Sequence, residues 1–173
     1  SYFNTRTRDE KENLLLNLNK NNQPNVDIIA YCLMPNHFHL LIKQLDDGGI
    51  HDVVSKLSLS YANYFNLKNE LKGPVFEDRF KAVTIISNEQ LLHVSRYIHL
   101  NPFTGSIVNS KEELLQYPYS SLQEYLNLNT PLKICAKSLI FDQFKSLESY
   151  KSFVLDQAGY QRQLHQIKKL LLE

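Results

Sequence analysis

Neither sign of charge predominates in this sequence: 19 Lys and Arg stand against 18 Asp and Glu, a formal net charge of +1. That excludes a uniformly basic surface that would announce nucleic-acid binding unaided, so any such site has to be a local patch. Cysteine is scarce. Cys32 and Cys135 lie far apart, form no Cys-x-x-Cys pair, and read as small buried thiols of a reducing compartment. No apolar run is long enough to span a bilayer and no signal peptide is visible, so a cytoplasmic protein without a membrane partner is expected. Internal repeats and low-complexity segments are absent as well. What is present is 173 residues, 43% hydrophobic and 21% charged, which suits one globular domain with a small appendage.

The chain is organised around residues 30–43, Ala30-Tyr31-Cys32-Leu33-Met34-Pro35-Asn36-His37-Phe38-His39-Leu40-Leu41-Ile42-Lys43. Two apolar runs flank Met34-Pro35-Asn36, where proline presets one turn dihedral and asparagine tolerates the awkward one, so the spacing predicts a hairpin. Strand residues alternate faces, so His37 and His39 share one face with Leu41 and Lys43, and Phe38, Leu40 and Ile42 are expected to build core on the other. Two imidazoles side by side on a strand can meet one metal ion, but a third ligand must come from elsewhere. Taken alone, such a pair is more often a half-exposed polar edge.

Ser1-Tyr2-Phe3-Asn4 reads as the end of a strand, and its abrupt start points to residues missing before or just after it. Residues 9–19 read as a short helix, 26–33 and 37–44 as the hairpin strands, and 50–71 as a helix ended by Gly73-Pro74. Residues 79–86 alternate polar and apolar side chains and predict a further strand. Ser87-Asn88-Glu89-Gln90 has the spacing of a capping box, opening a helix that Pro102 stops soon after Asn101. Short helices are expected from Ser110 and after Ser121, a linker over 127–136, and helical structure from Leu139 towards Glu173. Strand, helix, strand, strand, helix, strand is a split βαβ order. It predicts an α+β, ferredoxin-like fold with a four-stranded antiparallel sheet and helices on one face, leaving the other face for a site. Residues 1–126 would form this domain and 127–173 a C-terminal helical extension.

Tyr97 and Asn101 are four residues apart on the capped helix and project from one face. A phenol ionises near pH ~10 and needs a metal, base or positive charge to act as a nucleophile at neutral pH. Asn101 offers the hard carbonyl oxygen that two imidazoles would need to hold Mg²⁺ or Mn²⁺. His99 competes as a ligand, but its position two residues from Tyr97 turns it away from that face.

Tyr31-Cys32-Leu33-Met34-Pro35-Asn36-His37-Phe38-His39-Leu40-Leu41 resembles the histidine-hydrophobe-histidine (HUH) signature of single-tyrosine transposases, in particular the REP-associated tyrosine transposases and their insertion-sequence relatives. Three further segments match in the same order: Tyr61-Ala62-Asn63-Tyr64-Phe65-Asn66, the G-x-x-F-x-x-R-F-K stretch from Gly73 to Lys81, and Arg96-Tyr97-Ile98-His99-Leu100-Asn101-Pro102. Pro118-Tyr119-Ser120-Ser121 fits the end of that domain. The resemblance runs from about Val26 to Leu126, and four ordered motifs make it specific. It departs from the family in its first strand, mostly absent here, and after Asn127, where no core motif matches.

The resemblance implies metal-dependent DNA strand transfer. His37, His39 and Asn101 would hold one divalent ion, Mg²⁺ or Mn²⁺, and Tyr97 would attack phosphorus to form a covalent 5′-phosphotyrosine. The partner would be single-stranded or hairpin DNA, with Arg79, Lys81 and Arg96 as candidate phosphate contacts. A tyrosine-swapping homodimer and a monomer are both open. Two other readings are carried: a domesticated protein that holds DNA hairpins without cutting, which needs none of His37, His39 and Tyr97, and an unrelated hydrolase using the two histidines with water.

Overall fold

In the computed structural model, Val26–Leu33 (β1) and Phe38–Gln44 (β2) pair as the expected hairpin. The structure describes residues 7, 10, 24–77, 79–128, 133–159 and 161. The strand read at residues 1–4, nearly all of the helix read at 9–19 and the chain past residue 161 lie outside them. The helices that follow the hairpin are Gly49–Asn69 (α1), Asn88–Thr104 (α2), Lys111–Gln116 (α3), Leu122–Tyr125 (α4), Ser138–Phe141 (α5) and Leu147–Leu155 (α6). The chain divides into two compact units, residues 1–26 with 44–77, and residues 27–43 with 78–173. No described helix is long and apolar enough to cross a membrane.

The fold is α+β, but the described residues form a sheet of two strands, not four. Residues 79–86 have the alternation of a strand and no ladder: they run without regular structure, with Val83 82% and Ile86 87% exposed. Alternation states only which side chains could share a face. A strand also needs a neighbour for its N–H and C=O groups. On β1 such groups go to partners from far later in the chain. Leu33 N–H donates to the Tyr119 carbonyl (2.8 Å), Tyr31 N–H donates to Ser121 Oγ (2.9 Å), and the Ile29 carbonyl accepts from the Tyr125 hydroxyl (2.9 Å). Cys135 bridges Ile28 in parallel, so part of the expected linker is tied to β1.

In the second unit, Ile29, Ala30 and Cys32 of β1 and Leu41 of β2 meet Ile98, Leu100 and Phe103 of α2, Leu114 of α3, Leu122 and Tyr125 of α4, and Ile140, Tyr150 and Val154 from residues 138–155. Leu41 lies on the same strand face as His39. The histidine face therefore runs into the core, whereas Phe38, Leu40 and Ile42, expected to build it, are only half-buried. Both cysteines are free, Cys32 buried and Cys135 half-buried.

Two helix ends differ from the sequence expectation. In the first unit α1 stops at Asn69, before Gly73, because Glu70 takes a left-handed conformation (φ 56°) and its N–H caps the Asn66 carbonyl. In the second unit α2 carries Pro102 inside it and ends two residues later at Thr104. Near a helix end the proline forfeits one N–H bond, and the chain folds back so that the Pro102 carbonyl accepts from Ile107 and Val108. The start of α2 follows the sequence: Ser87 Oγ accepts from Gln90 N–H (3.1 Å), while Gln90 Oε1 accepts from Ile86 N–H (2.9 Å), one residue before the cap. Ser87→Ala should cost about 1 kcal/mol. It should read as a lower urea midpoint at unchanged slope, and an unchanged midpoint would show that the cap contributes nothing.

Candidate active site

The Met34-Pro35-Asn36 turn closes with Met34 N–H donating to the His37 carbonyl (2.8 Å), which sets His37 at the mouth of β2. His37 is exposed and His39 half-buried, and their rings stand edge to face with centroids 4.9 Å apart. Asn36, read from the sequence only as a turn residue, has a second task. Its Oδ1 accepts from His37 Nδ1 at 2.7 Å, which leaves the Nε2 lone pair of His37 free to ligate. A polar residue adjacent to the histidine was the only signal for this in the sequence. His39 has its pKa lowered, first by burial and then by the neighbouring His37, so the neutral, ligating form of its imidazole is favoured.

Tyr97 comes to this pair from α2. Its ring packs edge to face against His39, centroids 5.7 Å apart, and it is 43% exposed. The helix thus lays its phenol beside the strand's imidazoles while the residues around it, Ser95, Arg96, Ile98, His99 and Leu100, are buried. Asn101, one turn on, is only 5% exposed, and its buried Nδ2 has no partner among the described residues. Buried amide groups are nearly always paired; Arg96 Nε on the same helix is likewise buried with no partner among the described residues.

His99 is not available as a ligand. It is fully buried, Nε2 is 2.8 Å from Ser121 Oγ, Nδ1 is 2.7 Å from the Tyr150 hydroxyl, and burial pushes its imidazole down to about 3. Sequence spacing could not reveal this network, because its members lie 22 and 51 residues apart.

The three cations fall into two groups. Arg79 and Lys81 are exposed. Arg96 is 8% exposed: its guanidinium lies 4.5 Å from the Phe153 ring centroid, donates to His93 Nδ1 (2.6 Å) and reaches the Phe153 carbonyl (3.4 Å), and burial lowers its pKa. In this arrangement Arg96 is held internally and is not offered to a phosphate.

Among the described residues no three His, Cys, Asp or Glu side chains gather as a metal cage. Two imidazoles stand together there, and Asn101, one turn on from Tyr97, carries a carboxamide; nitrogen and oxygen donors of this kind would suit Mn²⁺ or Mg²⁺.

Comparison with known families gives one match: the profile of a family described as "Transposase IS200 like" aligns with residues 1–101, more than half of the chain, and takes in the histidine pair, Tyr97 and Asn101. No curated protein and no solved structure matches.

Proposed function

The chain belongs to the IS200-like transposase family, and we propose that it cleaves and rejoins single-stranded DNA through Tyr97, with a divalent metal held by His37, His39 and Asn101. The observation that carries this reading is the ring contact between Tyr97 and His39, with His37 beside them. A DNA-binding module without chemistry has no use for a phenol set against an imidazole pair.

Tyr97 Oη gives up its proton to water, attacks the scissile phosphorus and forms a P–O bond, while the bond from phosphorus to the 3′ oxygen breaks. The 3′ oxygen leaves as a hydroxyl, taking up a proton, and the 5′ phosphate stays on the tyrosine. The phosphodiester energy is kept in that linkage, so the reverse attack by a 3′-hydroxyl rejoins DNA without ATP. A divalent ion at the imidazole pair supplies positive charge for the phosphate oxygens. His37 and His39 act as neutral nitrogen donors, the first oriented by Asn36. Asn101, one turn on from Tyr97 along α2, contributes its carboxamide oxygen. Arg79 and Lys81 hold the strand by its phosphates, and hairpin ends supply the single-stranded neighbour that is cut. Because Tyr97 and His39 of the same chain are already in contact, this geometry supports use of the tyrosine within its own chain.

The test is the polarity of covalent capture. With Mn²⁺, an oligonucleotide labelled on the 3′ side of the cut should shift to a protein-sized band, and one labelled on the 5′ side should release a short fragment ending in a 3′-hydroxyl. Capture of the opposite label would reject this mechanism, and tight hairpin binding with no capture of either label would make the chain a binding module.

A further inference from the structure

The residues on either side of Tyr97 along α2 are held by a helix far outside the matched region. Arg96, one residue before it, stacks on Phe153 of α6 and donates to the Phe153 carbonyl. His99, two residues after it, meets the hydroxyl of Tyr150 on the same helix. We propose that α6 belongs to the strand-transfer machinery, with Tyr150 a positioning residue that acts through His99 to seat the tyrosine helix against the histidine hairpin. This rests on the reading that Tyr97 is the nucleophile.

The polar chain has a consistent direction. The Tyr150 hydroxyl donates to His99 Nδ1, His99 Nε2–H donates to Ser121 Oγ, and the Ser121 hydroxyl donates to the Tyr31 carbonyl (3.1 Å) while accepting from Tyr31 N–H. This assignment uses each hydrogen once and leaves no ring nitrogen unpaired. One end is α6, the other is β1, and β1 is the hairpin partner of the strand that carries His39. The two elements whose rings must meet, α2 and the hairpin, are therefore joined by a single hydrogen-bonded strut. Apolar side chains of similar volume would fill the same space, as Ile98, Leu100 and Tyr125 do around it. Apolar packing tolerates small rotations of a helix, whereas three directional bonds at fixed angles do not. A rotation of α2 by a few degrees would carry the Tyr97 ring off His39, and reaction rates fall steeply with such misplacement.

Tyr150→Phe in the full chain removes one oxygen and keeps the ring, which packs on Tyr125 with centroids 5.1 Å apart. Four quantities would be measured: the single-turnover rate of Mn²⁺-dependent adduct formation, the affinity for the same oligonucleotide, the urea unfolding midpoint, and the ¹⁹F resonance of a 3-fluorotyrosine placed at position 97. The expected result is an adduct rate lowered about tenfold, the scale of one buried hydrogen bond, with DNA affinity near wild type, the unfolding midpoint lowered by loss of that buried bond, and the resonance shifted. In a His99→Gln background the same change should add nothing further, because the bond it acts through is already altered. Additive losses, or a rate and resonance both unchanged, would overturn the proposal. So would a fall of DNA affinity as large as that of the rate, which marks a residue that only supports the fold. If Tyr150→Phe does not fold, His99→Gln alone carries the same readings. If the wild type captures no DNA, the nucleophile reading fails by itself, and the resonance still decides the strut: a shift supports it and no shift overturns it.

Discussion

Tyr97→Phe is expected to abolish covalent capture of DNA while hairpin binding stays near wild type. The substitution deletes a single oxygen from a ring that is 43% exposed, and the contact with His39 is made by the ring. Stability should therefore change by no more than about 0.5 kcal/mol, the range of surface substitutions. The chemistry has no substitute for that oxygen: without it no P–O bond to protein can form. Loss of a nucleophile commonly costs on the order of 10⁴-fold or more in rate. The measurement is a denaturing gel of a 3′-side-labelled oligonucleotide with Mn²⁺, run beside a binding titration of the same DNA. Cleavage that persisted without an adduct would point to water as the nucleophile and turn the reading towards a hydrolase. Adduct formation at wild-type level would place the linkage on another residue.

The second large effect falls on the metal. The double variant His37→Ala, His39→Ala should lose Mn²⁺ binding and strand cleavage together, with the fold kept. His37 is exposed and His39 half-buried, and neither belongs to the set of buried residues around Leu41. Removing an outer-shell partner of a metal typically lowers affinity about 10–100-fold, and removing two inner donors should exceed that. Asn101→Ala should give an intermediate loss, because one oxygen donor goes and both imidazoles stay. Calorimetry with Mn²⁺, supported by circular dichroism to check the fold, orders the three proteins. Unchanged Mn²⁺ affinity in the double variant would sink the assignment of this site.

Much of this site was legible in local sequence because local physics decides it. The Pro35-Asn36 turn, the alternation that puts His37 and His39 together, and the Ser87 cap that starts the Tyr97 helix each depend on residues within a few positions of one another. Periodicity and capping act at that range, so four spaced motifs led to the family before any contact was known. Tertiary structure decided what each face meets. Arg79 and Arg96 look alike in sequence, yet Phe153, 57 residues beyond Arg96, takes that guanidinium in and leaves Arg79 exposed. His99 was turned from ligand candidate into strut by Ser121 and Tyr150, which no spacing rule connects to it. Leu41 drew the histidine face of β2 into the core because α2 packs there, and residues 79–86 have strand alternation but no ladder neighbour among the described residues. Burial and hydrogen-bond pairing are properties of two surfaces at once, and a single segment of sequence specifies only one of them.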